Sequence, residues 1–224
     1  MVDEPDFAAQ REDMVKRYRR AGYIKTDSLA KAMLKVPREG FMDEGLHKYS
    51  YFDQPFQIPG NGNQTISAPY MYPISYEPLD LMEGCRFLEV GAGSGYGAAL
   101  ARELVGDNGL VVAVEINQKT FEFAKSNLHR LGYDDIILIL GDGSMGYSEM
   151  APYDAISVAA STPKIPRPLI EQLNSPGRLV APVGKDSILG QDLVLLEKDD
   201  KGKVHESTLM KVVYVPLKGK YGWG

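Results

Sequence analysis

Three carboxylates stand at the ends of apolar runs, where strands of a parallel sheet would present them to a ligand. Glu89 lies in FLEVGAGSGYGAAL, which runs into glycines at 91, 93, 95 and 97. Glu115 ends the run LVVAVE, and Asp142 lies between two glycines after IILIL. A strand followed by a glycine-rich turn and a helix leaves free backbone N–H groups and little side-chain bulk at the sheet edge. These three positions therefore predict a binding site for a nucleotide-like ligand.

The spacing of the glycines disfavours a dinucleotide, and the three carboxylates favour S-adenosyl-L-methionine. The dinucleotide fingerprint needs glycine at position 96, where the chain has Tyr96, and no Gly-Lys-Ser or Gly-Lys-Thr follows the loop. Glu89 can accept a hydrogen bond from the donor's ammonium group, Glu115 from two ribose hydroxyls and Asp142 from the adenine amino group. The predicted donor site comprises Glu89, Gly91, Gly93, Gly95, Glu115, Ile116, Asp142 and Gly143. S-Adenosyl-L-homocysteine would be the product of methyl transfer.

Each of these signals alone also has a purely structural explanation. A G-x-G-x-G turn can simply join a strand to a helix, and a carboxylate after a strand is often a helix cap or turn residue. A methyl donor also leaves the acceptor open. An N-methyltransferase of bases would often show an Asn/Asp-Pro-Pro-Tyr/Phe motif where this chain has VAASTPKIP. Methyl transfer to a small molecule or an RNA base remains the alternative, and a binding protein without catalysis is a third possibility.

The sequence resembles the protein-L-isoaspartate O-methyltransferases, which repair proteins damaged at aspartate and asparagine. The resemblance extends from about Phe7 onward and rests on YFDQPFQIPGNGNQTISAP, LEVGAGSGYGAA, GDGSMGY, APYDAISVAA, EQLNSPGRLVAPVG and YVPL. Such enzymes methylate the free α-carboxylate of L-isoaspartyl residues, and the ester then closes to a succinimide that hydrolyses partly to normal aspartate. The resemblance implies that Ser67 of QTIS is the catalytic residue and that Thr65 and Ile66 line the donor pocket. It also implies acceptor contacts from Asp53, Pro55 and Ala160.

Methyl transfer to a carboxylate needs few catalytic groups, because the carboxylate is already the nucleophile and a sulfonium already leaves easily. The rate should therefore depend mainly on aligning the reacting atoms and on excluding water. The segment 49–75 is the predicted lid, with the Ser67 hydroxyl orienting the acceptor carboxylate. Between Pro55 and Gln64 this lid is about two residues longer than is usual in the family, and Tyr70 and Tyr72 stand where some relatives carry histidine.

The elements that must position these residues alternate along the chain. The apolar runs RFLEV, LVVAVEI, IILILGD, YDAISVAA and GRLVAPVG are separated by helical patterns, including PRPLIEQLNSPG, which indicates a parallel sheet covered on both faces. The stretch QDLVLLEKDDKGKVHESTLMKVVYVPL predicts a closing hairpin, and FAAQREDMVKRYRRAGYI and TDSLAKAMLKVP predict two N-terminal helices, the second ending at Pro37. The fold class is α/β: a doubly wound, mostly parallel sheet of the Rossmann-like methyltransferase type, ending in an antiparallel hairpin and preceded by a helical extension.

Length and composition predict one domain over residues 1–224, with a helical part at 1–48, the active-site loop at 49–75 and the cofactor-binding core at 76–224. A net charge of −5 disfavours nucleic acid as a partner. The acidic N-terminus and the lack of a long apolar run predict a cytoplasmic protein without a membrane span. Cys85, the single cysteine, is expected to be a buried, reduced thiol, and the three scattered histidines predict no metal site. The expected partners are isoaspartyl-containing proteins and peptides, bound by a monomer.

Overall fold

The N-terminal part consists of helices and one short hairpin. In the computed structural model, which describes residues 6–62, 64–185 and 190–223, its elements are α1 (Phe7–Arg20), α2 (Asp27–Lys35), β1 (Phe56–Gln57), β2 (Thr65–Ile66) and α3 (Met71–Tyr76), with 3₁₀ turns at Arg38–Phe41 and Glu44–Tyr49. Thr26 caps α2 by accepting a hydrogen bond from the N–H of Leu29. The helix α1 ends earlier than the predicted helical stretch, because Gly22 takes a positive φ of 75° just after it.

The described residues form a central sheet of seven strands in the order β5-β4-β3-β6-β7-β8-β9. The pairings from β5 through β7 are parallel, whereas β8 and β9 are antiparallel. The parallel sheet and its closing hairpin are therefore confirmed. The strands are β3 (Arg86–Val90), β4 (Leu110–Glu115), β5 (Ile137–Leu140), β6 (Tyr153–Val158), β7 (Leu173–Val183), β8 (Gln191–Lys198) and β9 (Val204–Val212).

The two faces of the sheet each bury an apolar layer. Successive residues Phe87 and Leu88 of β3 belong to different core clusters, as the alternation of side chains along a strand requires. Helices α4 (Tyr96–Val105), α5 (Gln118–Arg130) and α6 (Arg167–Gln172) follow β3, β4 and β6 in the chain. The alternation of strands and helices brings the carboxyl ends of β3, β4 and β6 together at one edge of the sheet.

None of the described helices is both long and apolar enough to cross a membrane.

Three local predictions are wrong. The segment 49–75 is not loop throughout, because β1 pairs with β2 and α3 begins at Met71. The helical pattern PRPLIEQLNSPG ends at Gln172, since Leu173 is buried and already pairs with Tyr153 of β6. Cys85 is a free thiol, but it is only partly buried.

Candidate active site

A cavity opens where β3, β4 and β6 end, the place at which parallel α/β sheets bind ligands. Its wall brings together most of the predicted donor residues, although they come from distant parts of the chain. Gly95 and Asp142 are not part of this wall. The predicted residues that do line it are Thr65, Ile66, Glu89, Gly91, Gly93, Glu115, Ile116 and Gly143.

The glycine turn after β3 supplies backbone with almost no side-chain bulk. Gly91 and Gly93 have φ angles of 90° and 56°, in the left-handed region that favours glycine. Gly95 serves a different purpose, because it is the N-cap of α4 and a Cβ there would lie 3.0 Å from a side-chain carbon of Leu128. Two glycines of the predicted fingerprint therefore face the cavity, and the third allows α4 to pack closely against α5.

Glu115 connects the glycine turn to the tip of β4. Its Oε2 atom accepts a hydrogen bond from the N–H of Gly93 at 3.0 Å, and its Oε1 atom accepts one from the N–H of Asn117 at 2.9 Å. Burial raises the pKa of the Glu115 carboxyl, and the N–H groups of Asn117 and Gly93 oppose that rise. Each carboxylate oxygen retains a second lone pair. Glu115 can therefore hold the turn and still accept hydrogen bonds from a ligand in the cavity.

Glu89 is a nearly inaccessible carboxyl in the cavity wall, with only 3% of its surface exposed. The Tyr76 hydroxyl donates to Oε1 at 3.1 Å, whereas Oε2 has no hydrogen-bond partner among the described residues. Burial raises the pKa of Glu89 to about 8. A Cβ at Gly97 would lie 2.0 Å from Oε1, so only glycine fits there. An orphaned carboxylate oxygen in a cavity wall fits the ammonium group of an amino-acid ligand.

Asp142 is held by its neighbours and by a segment far along the chain. Oδ1 accepts hydrogen bonds from the N–H and the hydroxyl of Ser144 at 2.9 and 2.6 Å, and Oδ2 accepts one from the N–H of Lys220 at 2.8 Å. The segment 213–223 is also fastened to Ser161, whose carbonyl accepts from the indole N–H of Trp223 at 2.9 Å. This segment lines the cavity with Pro216, Leu217 and Lys218. The predicted contact between Asp142 and adenine thus concerns a carboxylate that already has three donors, and it stays a prediction.

Ser67 lies at the junction of two depressions in the surface. It follows β2, is half-buried, and lines both the donor cavity and an adjoining groove. Pro55, Ala68 and Tyr70 line that groove together with residues 210–216. An acceptor in the groove and a donor in the cavity could therefore meet at the Ser67 hydroxyl.

The other predicted acceptor contacts are only partly brought together. Pro55 lines the groove with Ser67, but Ala160 lies in the wall of the donor cavity. Asp53 lies in a separate groove against α1, where it accepts a hydrogen bond from the Tyr18 hydroxyl and lies 3.6 Å from Arg17. Because both oxygens of Asp53 face α1, the structure does not place this carboxylate beside Ser67. Its proposed contact with the acceptor has no geometric support.

Sequence reasoning missed several residues of the cavity wall. The aromatic residues Tyr72, Tyr76 and Tyr214 line it together with Met71 and Ser75. The motif YVPL was a signal for part of this set, since it contains Tyr214 and belongs to the segment 213–223, which lines the cavity. The buried helix α3 gave no comparable signal. Among the described residues, no group of three or more His, Cys, Asp or Glu could hold a metal ion.

Comparisons with known proteins agree with this geometry. The family profile of protein-L-isoaspartate(D-aspartate) O-methyltransferase matches residues 9–222. A protein-L-isoaspartate O-methyltransferase of Methanococcus aeolicus is 49% identical over 212 residues, which cover 95% of each chain. A protein of the same name from Methanothrix thermoacetophila is 50% identical over 198 residues, which cover 88% of this chain and 91% of the relative.

Two solved structures share the fold over nearly the whole chain. A protein-L-isoaspartate O-methyltransferase superposes with a TM-score of 0.85 at 32% identity, covering 95% of this chain and 67% of that one. A candidate protein-L-isoaspartate O-methyltransferase from Plasmodium falciparum, in complex with S-adenosyl-L-homocysteine, superposes with a TM-score of 0.79 at 28% identity, covering 93% and 98%. The predicted fold class is confirmed.

Proposed function

Because the chain belongs to the protein-L-isoaspartate(D-aspartate) O-methyltransferase family, we propose that it methylates the free α-carboxylate of L-isoaspartyl residues in damaged proteins and peptides. Its methyl donor is S-adenosyl-L-methionine. The observation that carries the proposal is the position of Ser67, which borders both the donor cavity and the surface groove. The family relationship favours this acceptor over the alternative of a small molecule or an RNA base.

The residues of the cavity suit the parts of the donor. We propose that the unpartnered Oε2 of Glu89 accepts from the ammonium group and that the free lone pairs of Glu115 accept from the ribose hydroxyls. Gly91, Gly93 and Gly143 line the cavity without side chains and so leave room for the donor. At Gly143 a Cβ would also lie 2.7 Å from Val90. When bound, the donor supplies a methyl group on a sulfonium sulfur, an excellent leaving group. The donor pocket therefore needs only to bind and orient the donor, because the methyl group needs no further activation.

The chain's contribution to the chemical step is alignment. An acceptor carboxylate oxygen forms a bond to the methyl carbon while the carbon–sulfur bond breaks and its electron pair remains on sulfur. The carboxylate is ionised at neutral pH, so no side chain has to remove a proton. The Ser67 hydroxyl donates a hydrogen bond to the other carboxylate oxygen and holds the first in line with the methyl group. Residues of the segments 49–75 and 213–223 line the cavity, so they can help to exclude water from it.

The groove beside Ser67 suits a flexible, extended stretch of an acceptor protein. It is open to solvent on one side, and Val213 in its lining is 79% exposed. The family profile matches residues 9–222, which supports one methyltransferase domain over residues 1–224, and the proposed active form is a monomer. Because its single cysteine cannot form an internal disulfide, we propose that the protein acts in the reducing environment of the cytoplasm.

A methyl-transfer assay tests the proposed function directly. Two synthetic peptides that differ only in carrying isoaspartate or aspartate at one position are incubated with the enzyme and donor labelled in its methyl group. We expect label only on the isoaspartyl peptide, as an ester that base removes. Equal labelling of both peptides, or of neither while RNA becomes labelled, would refute the proposal.

A further inference from the structure

Arg38 is a buried cation to which the proposed mechanism gives no part. Its side chain is wholly inaccessible, yet none of the ion pairs found among the described residues includes it. One of its terminal nitrogens, Nη1, has no hydrogen-bond partner there either. Burying a charge without an opposite charge is costly, and an apolar side chain would avoid that cost. The position of the guanidinium must therefore bring some compensating benefit.

The guanidinium of Arg38 connects three parts of the active site. Nη2 donates to the carbonyl of Ser67 at 2.8 Å, and Nε donates to the carbonyl of Ser50 at 2.7 Å. The planar group also lies 5.4 Å from the centroid of the Tyr96 ring. Tyr96 is the first residue of α4, directly after the glycine turn. Arg38 thus joins two parts of the predicted lid, its start at Ser50 and the backbone of Ser67, to the helix that begins beside the donor cavity.

We propose that Arg38 is a positioning residue, which fixes the backbone of Ser67 and thereby the place of its hydroxyl between donor and acceptor. The proposal rests on the proposed function, since it assumes the role of Ser67 in methyl transfer. Only arginine has a planar fork of donors that can reach two carbonyls at once while its face stacks on an aromatic ring. Ser67 lies outside β2, so no ladder hydrogen bond of the short hairpin holds it.

Arg38 itself lines neither the donor cavity nor the groove, although its guanidinium also acts on the Tyr72 hydroxyl of the cavity wall. A change at this position should therefore act on the chemical step and leave donor binding almost intact. Lysine keeps the charge but cannot reproduce the two donors in their fixed geometry. Since a displacement of 1 Å can cost about 100-fold in rate, we expect Arg38→Lys to lower kcat by about 10- to 100-fold. The affinity for S-adenosyl-L-homocysteine should stay within about threefold of the wild type, as the donor contacts remain.

Arg102 offers a control on the other end of α4, which differs from Arg38 in being paired with Asp135 at 3.3 Å. It is also a nearly buried arginine, and it donates to the carbonyls of Gly106 and Gly109, the latter at 3.1 Å. It lines neither the donor cavity nor the groove. Arg102→Lys should lower the melting temperature without a selective loss of kcat. The comparison separates a positioning role of Arg38 from a merely structural one.

The experiment measures kcat and KM on the isoaspartyl peptide, the affinity for S-adenosyl-L-homocysteine and the melting temperature for the wild type and both variants. If Arg38→Lys melts below the assay temperature, Arg38→Gln replaces it, because it removes the buried charge and keeps one donor. If the kcat of the Arg38 variant is no lower than that of Arg102→Lys, the positioning role of Arg38 is wrong and the proposed function still stands. A wild type that leaves the isoaspartyl peptide unlabelled would instead overturn the proposed function, and the role of Arg38 with it.

Discussion

Glu115 offers the sharpest test of the donor site, because its two oxygens serve both the fold and the proposed ligand. Glu115→Ala removes the acceptor of the Gly93 N–H and that of the Asn117 N–H. It also removes the acceptor proposed for the ribose hydroxyls. The variant should therefore lose donor affinity and stability together, whereas a carboxylate free at a strand tip would affect the ligand alone.

The two losses can be estimated separately. A hydrogen bond to a charged group contributes about 1.5–3 kcal/mol, and water replaces part of it in the variant. At about 1.4 kcal/mol per decade, the affinity for S-adenosyl-L-homocysteine should fall by about 10- to 100-fold. Each buried N–H left without an acceptor costs about 1–3 kcal/mol. A domain of this size loses about 2–4 °C of melting temperature per kcal/mol, so a fall of at least about 4 °C is expected.

Calorimetric titration with S-adenosyl-L-homocysteine and a thermal melt of the same samples measure both quantities. Asp154→Ala is the matched control, since Asp154 also accepts a hydrogen bond from a backbone N–H, that of Arg86 at 2.8 Å. Asp154 lies near the amino end of β6, whereas the donor cavity lies at the carboxyl ends of the strands. The control substitution should lower the melting temperature and leave the affinity unchanged. If Glu115→Ala binds within about threefold of the wild type, with a cooperative melt, the ribose contact is wrong and Glu115 is only a turn residue.

Four further predictions address the cavity and its lid. Ser67→Ala should lower kcat by about tenfold or more while the affinity for S-adenosyl-L-homocysteine holds, and an equal loss of both would place Ser67 among the donor contacts. Because burial raises the pKa of Glu89 to about 8 in the free enzyme, an arriving ammonium group should displace its proton, so that donor affinity rises with pH up to about 8 and then levels off. The same raised pKa predicts that the free protein loses stability as pH rises between about 4.5 and about 8, and Glu89→Gln should flatten both profiles. Deleting Asn61 and Gly62 should change the peptide KM but not donor affinity, and unchanged kinetics would make the longer lid a surface insertion.

Much of the donor site could be predicted because it depends on local sequence. An apolar run that ends in glycine and a carboxylate places both at the edge of a parallel sheet, and Glu89 and Glu115 do lie in one cavity wall. The closing hairpin could likewise be predicted, from two apolar runs on either side of a charged turn. Both predictions use only residues that are close together in the chain.

The missed features depend on contacts between distant residues. Burial raises the pKa of Glu89, and its hydrogen-bond donor Tyr76 belongs to α3, a helix for which the sequence near position 89 gives no signal. Asp142 is bound by the N–H of Lys220, 78 residues later, so its environment could not be read from GDG. Asp53 was placed with the acceptor by resemblance, but the Tyr18 hydroxyl and Arg17 draw it towards α1. The lid stretch around Asn63 is a prediction that falls partly outside the described residues.

The segment 213–223 also governs when the protein can first work during its synthesis. The glycine turn leaves the ribosome early, but a donor cavity without Pro216, Leu217 and Lys218 lacks one wall. The turn at Asp142 is also incomplete until the N–H of Lys220 reaches it. A nascent chain that has made only β3 to β6 therefore has the carboxylates of the donor site and no closed pocket. We expect the cofactor to bind only once these residues have joined the cavity wall.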